Sequence, residues 1–262
     1  MAPFPLPRYP FTPHPFFTMA TFKLTIEYDG TSYAGWQRQP DRPTVQAAVE
    51  TALQQITQTP IPVTGAGRTD ARAHALGQVV SFRSDKAMSP EQWVRALNGL
   101  LPPDISVRSA ERVADDFHAR YSARGKLYEY RVLNRVERSA LERTRAWHVR
   151  GRLDVDAMRE AASLLMGRYD FSSFQGSPTD EENPICDLRQ LEISQEQALI
   201  RFEVQADRFL KQMVRAIVGT LVEVGLGKRP PKSMKEILEA RDRRSAGVTA
   251  PAHGLYLVRV DY

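Results

Sequence analysis

The sequence predicts an α/β fold of two ferredoxin-like lobes, which form an antiparallel-rich mixed sheet with a central cleft. The main observation is that strand-like and helix-like segments follow the order β-α-β-β-α-β twice, once on each side of residue 115. A length of 262 residues suits two small lobes, and a hydrophobic content of 42% is sufficient for a core. We therefore expect an N-terminal lobe at 19–115 and a C-terminal lobe at 116–262.

The first lobe is expected to contain four strands and two helices. The strands are placed at 22–28, 61–66, 78–82 and 105–112, and the helices at 44–56 and 90–100. The second helix has the clearest boundaries, because Ser89 and Gln92 have the spacing of a capping box. Pro102 and Pro103 follow its end, and proline cannot continue a helix.

The second lobe repeats this order of elements. Strands are expected at 127–133, 188–193, 199–204 and 255–260, helices at 155–166 and 209–224, and an extra short helix at 233–240. Asp154 directly precedes the first of these helices and belongs to the residue types that cap helix N-termini.

Residues 1–18 are expected to form a disordered extension, because they carry six of the eighteen prolines. They lack the basic start and apolar stretch of a signal peptide, so Met19 is the expected natural start. A proline-rich docking tail is the alternative.

The single cysteine, Cys186, excludes an internal disulfide and favours a reducing, cytoplasmic compartment. No apolar run reaches transmembrane length, so no membrane partner is expected.

One loop has the composition of an active site. Residues 65–75 place Arg68, Thr69, Asp70 and His74 among glycines and alanines. Small residues let a backbone turn sharply and approach a ligand. Arg68 is close enough in sequence to hold the Asp70 carboxylate ionised. Asp70 is therefore a candidate nucleophile or base.

The segment 118–152 is strongly basic, with ten Lys or Arg against three acidic residues, whereas the net charge of the whole chain is only +5. Aromatic residues are interleaved with these cations, namely Tyr121, Tyr128, Tyr130 and Trp147. Cations and aromatic faces together bind phosphodiester backbones and unstacked bases, which predicts an RNA-binding surface. A solvated charged surface is the alternative.

Two other kinds of site are not supported by the sequence. The run 65–67 lacks the third glycine and the acidic residue of a dinucleotide-binding fingerprint, so no nucleotide cofactor is expected. The five histidines have no ligand spacing and no paired Glu or Cys, which argues against a zinc site.

From residue 22 to residue 262 the chain resembles the tRNA pseudouridine synthase A family through several motifs in order. They lie at 27–37 with 44–46, at 67–70 (Gly-Arg-Thr-Asp), at 117–123, at 170–174, at 209–220 and at 254–257. One such motif is a weak signal, but the ordered set is specific.

The resemblance implies an isomerase that converts uridine to pseudouridine at positions 38, 39 and 40 in the anticodon stem-loop of tRNA. It implies no external cofactor and no metal. Asp70 matches the catalytic aspartate, and two roles stay open for it. It adds covalently to the sugar or base, or it abstracts a proton from the ribose. The resemblance also implies a homodimer in which one tRNA contacts both subunits.

Four further residues match substrate-binding positions of the family: Arg68, Tyr128, Arg215 and Leu255. The family pattern places Arg215 against the catalytic aspartate, and its apolar neighbours disfavour the alternative of an ordinary surface charge. Tyr128 would stack on the uracil and Leu255 would pack against the target base, with core packing as the alternative for both. Arg68 would help to extrude the base, or would simply contact a phosphate.

The loop departs from the family pattern at one position, because Arg72 stands where the family usually has glycine. If this position needs a positive φ, Arg72 strains the loop; otherwise it adds a cation near RNA. Arg72 also supports the alternative of a non-catalytic tRNA-binding protein with a drifted active-site loop. A hydrolase of glycosidic bonds is a second alternative, but it would need a second carboxylate that the loop does not offer.

Overall fold

The computed structural model describes residues 19–177 and 182–262. The proline-rich extension expected at 1–18 lies outside these residues. In the described residues the strands are β1 (Ala20–Tyr28), β2 (Thr64–Gly65), β3 (His74–Ser84), β4 (Ile105–Val113), β5 (Gly125–Asn134), β6 (Trp147–Val149), β7 (Gly167–Asp170), β8 (Ile185–Glu196), β9 (Leu199–Ala206) and β10 (Leu255–Asp261). The helices there are α1 (Val45–Thr57), α2 (Pro90–Leu100), α3 (Val155–Ser163), α4 (Met213–Gly225) and α5 (Ser233–Ala240).

All of these strands belong to one mixed sheet, which confirms the predicted fold class. The strand order is β4-β1-β3-β10-β5-β9-β8-β7, with β2 also paired to β3 and β6 to β5. The first half therefore has the order β4-β1-β3-β2 and the second half the equivalent order β10-β5-β9-β8, as two β-α-β-β-α-β units require. Within each unit the neighbouring strands are antiparallel.

The two halves meet where β3 pairs with β10. This pair is parallel and short, with His74 opposite Tyr256 and Ala75 opposite Leu257. Because β1 occupies one edge of β3 along nearly its whole length, β2 and β10 share the other edge. The loop between β2 and β3 therefore lies at the junction of the two halves.

The helix boundaries follow local capping chemistry. At α2 both hydrogen bonds of the capping box are present, since the Gln92 amide N–H donates to Ser89 Oγ and Gln92 Oε1 accepts from the Ser89 amide N–H. At α3 the Asp154 carboxylate accepts from the Ala157 amide at 3.0 Å. The predicted limits of α2 and α5 are confirmed residue for residue.

Several sequence-based boundaries are wrong, each for a local reason. The helix expected from 209 begins only at Met213, because Gln212 adopts a left-handed conformation with φ 59°. The helix expected to reach 166 ends at Ser163, and Gly167, with φ 114°, then starts β7. The strand expected at 61–66 shortens to β2, within a segment where Pro60 and Pro62 lack amide donors. The short strands β6 and β7 were not anticipated from the sequence pattern.

One hydrophobic core runs through both halves of the sheet. Helix α1 packs against α2, and α3 packs against α4. Helix α4 is apolar around nearly its whole circumference and is almost entirely buried. This pattern is typical of a helix that is enclosed in the core. No helix in the part of the chain that the structure describes has the length and apolarity needed to cross a membrane.

Candidate active site

The loop between β2 and β3 is held by main-chain and side-chain hydrogen bonds at its first half. The amide of Trp36 donates to the Thr69 carbonyl at 3.1 Å, and Tyr28 Oη lies 2.7 Å from Thr69 Oγ1. Gln78 Nε2 donates to the Gly67 carbonyl at 2.8 Å. Tyr28 and Gln78 come from β1 and β3, so strands of the sheet hold the Thr69 side chain and the Gly67 carbonyl on either side of residue 68.

The second half of the loop forms a turn at Arg72. Its backbone is left-handed, with φ 70°, and its amide donates to the Tyr33 carbonyl at 3.1 Å. The Ala73 amide then donates to the Asp70 carbonyl at 3.1 Å. Arg72 therefore occupies a conformation that favours glycine, and the turn that presents Asp70 is nevertheless formed.

His74 ends the loop and is buried beneath it. Its Nδ1 accepts from the Gly30 amide at 3.1 Å, while Nε2 faces the carbonyls of Thr144 at 2.9 Å and His253 at 3.1 Å. These partners assign the hydrogen to Nε2. Burial lowers the pKa of His74 below its ordinary value, although Asp29 at 3.2 Å acts in the opposite direction. His74 is thus a neutral anchor of the loop.

Asp70 forms an ion pair with Arg215, which lies on the buried helix α4. Asp70 Oδ2 and Arg215 Nη1 are 2.5 Å apart, and the two side chains are 30% and 13% exposed. Arg215 Nε donates to the Ala250 carbonyl at 2.7 Å, and the Ala250 amide donates to the Arg215 carbonyl at 3.0 Å. The guanidinium is therefore held by both the Ala250 carbonyl and the Asp70 carboxylate. The Asp70 side chain remains partly exposed.

The ion-pair partner of Asp70 is Arg215, the residue that the resemblance placed there, and not its sequence neighbour Arg68, which corrects the interpretation of the loop by itself. The Arg68 side chain is exposed and forms no ion pair within the described ranges. The reason is geometric. The Arg68 side chain extends into solvent, whereas Arg215 on the buried helix α4 reaches the Asp70 carboxylate.

Tyr128 lies on β5 beside the same loop. It is only 7% exposed, and its ring meets that of Phe209 edge-on, with 4.9 Å between the centroids. A Cβ atom placed on Gly67 would lie 3.6 Å from Tyr128 Oη. Burial, with smaller effects of Tyr28 and Asp70, raises the pKa of Tyr128 well above its ordinary value. Its hydroxyl therefore stays protonated at neutral pH.

Leu255 begins β10 and is opposite Tyr130 in the β10–β5 pair. Leu255 is 7% exposed, and Tyr130 donates its hydroxyl to the Pro251 carbonyl at 2.6 Å. The structure therefore places Leu255 one strand away from Tyr128, in the turn region that also contacts Arg215. Asp70, Arg215 and Tyr128 lie close together, Leu255 begins the strand next to that of Tyr128, and Arg68 is exposed.

The basic segment 118–152 flanks this junction. Arg145 lies near the end of the loop, where its Nη2 is 3.4 Å from Asp29 Oδ2 and its carbonyl accepts from the Tyr256 hydroxyl at 3.0 Å. Of the aromatic residues interleaved with the cations, Tyr121 is 77% exposed, whereas Tyr128 and Tyr130 are buried and Trp147 is half-buried. Tyr121 stacks on His118 at 4.4 Å between centroids.

Sequence reasoning missed two polar residues of the site. The sequence pattern indicates only a strand start at Gln78 and only one cation of the basic segment at Lys126. The Lys126 side chain points toward the loop, because a Cβ atom on Gly67 would lie 3.4 Å from its Nζ. The period of two along β5, which puts Lys126 on the same face as Tyr128, is the signal that could have identified it.

Comparison with known proteins gives a consistent result. A family model described as tRNA pseudouridine synthase matches residues 24–122 and 161–262. The chain is similar to tRNA pseudouridine synthase A of Myxococcus xanthus, with 45% identity over 93% of this chain and 92% of that protein. It is 46% identical to the protein of that name from Moorella thermoacetica, over 93% of this chain and 100% of the relative. It is 48% identical to the protein of that name from Chromobacterium violaceum, over 91% of this chain and 92% of the relative.

Proposed function

Since the chain belongs to the tRNA pseudouridine synthase family and is an isomerase that forms pseudouridine in tRNA, we propose that its targets are uridines 38, 39 and 40 of the anticodon stem-loop. We further propose Asp70 as its catalytic carboxylate. The observation that supports this role is the Asp70–Arg215 ion pair at the junction of the two lobes, where a partly exposed carboxylate is held by a fixed cation.

The reaction is an isomerisation in which the base stays in the site. The bond from C1′ to N1 breaks, the uracil turns, and its C5 bonds to C1′; C5 then loses a proton and N1 gains one, so no co-reactant is consumed. Asp70 acts as nucleophile on the sugar or base, or as base toward a ribose proton. Arg215 keeps the carboxylate oriented in either role, because its own position is set by the Ala250 carbonyl.

The other residues are assigned to binding the extruded base. Tyr128 offers a rigid aromatic ring backed by Phe209 next to the loop, and Leu255 offers an apolar side chain at the start of β10. Arg68 is exposed and carries a long cationic side chain, which suits a residue that enters the duplex as the uridine leaves the stack.

Recognition of the tRNA is assigned to the basic segment 118–152 and to the cleft between an N-terminal lobe at 19–115 and a C-terminal lobe at 116–262. Contacts to the RNA backbone fix register without reading bases, which suits modification of neighbouring positions in different sequences. The proposal includes a homodimer, so that the basic surface of one subunit presents the anticodon arm to the cleft of the other. It also includes action in the cytoplasm.

The test is to map pseudouridine by position in an unmodified tRNA transcript incubated with wild-type protein and with Asp70→Asn. We expect product at 38, 39 or 40 with wild type, none with Asp70→Asn, and similar tRNA affinity for both. Asp85→Asn is the matched control, because Asp85 is an exposed carboxylate that follows the opposite end of β3; it should keep full activity.

The alternative outcomes are distinct. Full activity of Asp70→Asn would overturn the assigned role of this carboxylate. Tight tRNA binding by wild type without any product would instead support the non-catalytic alternative, with Arg72 as the residue to revert first.

A further inference from the structure

Lys126 is the second residue of β5 and projects into the cleft beside the Asp70 loop. Its neighbours across the sheet are Ala206 on β9 and Val260 on β10, so the strand fixes its position on both sides. A Cβ atom placed on Gly67 would lie 3.4 Å from Lys126 Nζ and 3.6 Å from Tyr128 Oη, so both polar groups face the same side of this loop residue. The ammonium therefore lies at the wall of the candidate active site and not on the outer basic surface.

The charge of Lys126 has no anionic partner in the part of the chain that the structure describes. Its ammonium makes no hydrogen bond or ion pair there, and the charges that act on it are the cations Arg120 and Arg208. Burial, followed by these two cations, lowers the pKa of Lys126 to about 8. Lys126 is half-buried, and a partly desolvated charge without an anionic partner destabilises a folded protein, so this arrangement favours an anion supplied from outside.

Arg120 extends the same cluster toward solvent. Its side chain is exposed and lies over the ring of Tyr121, with the guanidinium carbon 5.6 Å from the ring centroid. Arg208 directly precedes Phe209, which packs on Tyr128. Arg120 and Arg208 thus both act electrostatically on Lys126, which lies next to the residues assigned to the extruded base.

We propose that Lys126, with Arg120 beside it, binds a backbone phosphate of the RNA next to the target nucleotide. This inference rests on the proposed function, because a uridine extruded toward Asp70 brings its flanking phosphates to the mouth of the cleft. A phosphate satisfies the charge of Lys126 and relieves its repulsion by the two arginines. Lys126 is therefore a substrate-binding residue, and the protein tolerates its charge at a cost in stability.

The first test compares Lys126→Met with wild type for binding of an anticodon stem-loop RNA across a range of salt concentrations. We expect about tenfold weaker binding and a log–log salt slope smaller by about 0.7 to 0.9, the value for one lost phosphate contact. The unfolding midpoint of the free variant should rise, because a partly buried charge has been removed. A residue that only supports the fold would lower the midpoint.

Two further variants serve as controls. Lys235→Met removes an exposed lysine on α5 that pairs with Glu239 at 3.9 Å, and it should leave both the salt slope and the midpoint unchanged. Lys126→Arg keeps the charge and should keep most of the salt slope. An unchanged slope in Lys126→Met, or an equal loss in Lys235→Met, would overturn the proposal.

The second test identifies the phosphate. Neutral methylphosphonates are placed singly at each linkage around the target uridine, and each RNA is bound by wild type and by Lys126→Met. At one linkage the two changes should be non-additive, because both remove the same contact. Additive effects at every linkage would contradict the proposal. Pseudouridine formation by wild type in the unmodified RNA is measured in parallel, so a failure of the proposed function is seen separately from a failure of the phosphate site.

Discussion

At the scale of single residues, Arg72 shows how a functional loop tolerates strain. Its φ of 70° lies in the region where a side chain is unfavourable by roughly 1–2 kcal/mol. Two hydrogen bonds hold the turn in spite of this, one from the Arg72 amide to Tyr33 and one from the Ala73 amide to Asp70. The question that the sequence raised at this position is therefore answered: the backbone does need a positive φ, and Arg72 is strained.

Replacing Arg72 by glycine is expected to stabilise the protein. Arg72→Gly should raise the free energy of unfolding by about 1 kcal/mol, because glycine adopts this conformation without a Cβ clash. Arg72→Ala keeps the Cβ atom and loses only the charge, so it should give little or no gain. Urea denaturation of the three proteins measures this. Equal stabilisation by both variants would mean that charge, and not backbone strain, is responsible.

At the scale of elements, the short parallel contact between β3 and β10 brings the catalytic loop to Arg215. The loop precedes β3, whereas α4 and the Ala250 turn that fix the arginine precede β10. The strands approach closely at Gly77, where a Cβ atom would lie 2.4 Å from the Val258 carbonyl oxygen. The distance between Asp70 and Arg215 thus depends on how tightly these two strands pair.

Gly77→Ala is expected to separate the strands and to impair the enzyme. The added methyl group meets backbone, which cannot rotate away, so we expect a loss of about 1–3 kcal/mol in unfolding free energy, the range typical of overpacking, and a lower kcat. Gly99→Ala is the matched control, because a Cβ atom there meets nothing within 4 Å and alanine favours the helix. Thermal unfolding and single-turnover rates measure both effects. Wild-type turnover in Gly77→Ala would show that the spacing of these strands does not control the site.

At the scale of the whole molecule, His74 ties distant segments together. Its ring contacts Gly30 after β1, Thr144 in the basic segment and His253 before β10, and it stacks on Tyr256 with 4.7 Å between the centroids. The neutral ring satisfies these partners, because Nδ1 must accept a hydrogen bond and Nε2 must donate one. Protonation of Nδ1 would remove the acceptor that Gly30 uses.

The protein should therefore become less stable as the pH is lowered below the ordinary histidine pKa. The pKa of His74 is lowered on folding from 6.5, so the unfolded state binds the proton more readily and the stabilisation is lost as pH falls. The loss should grow steadily as the pH falls from 6.5 to 5.5, where the unfolded state takes up the proton that the buried ring resists. Urea denaturation of wild type and His74→Gln across this range measures it, and the variant should show a smaller pH dependence. Equal slopes would contradict this account of His74.

Local sequence patterns determined the order of elements, the limits of α2 and the importance of the Asp70 loop. Capping residues, prolines and hydrophobic periodicity act over a few positions, so they can be read from neighbouring residues. The family resemblance placed Arg215 against Asp70, but only the folded structure brings these residues, 145 apart in the sequence, into contact and leaves Arg68 exposed. The folded structure also decided that Lys126 is half-buried within the electrostatic range of Arg120 and Arg208. The energy of a charge depends on burial and on the charges around it, and only the packed sheet brings those partners together.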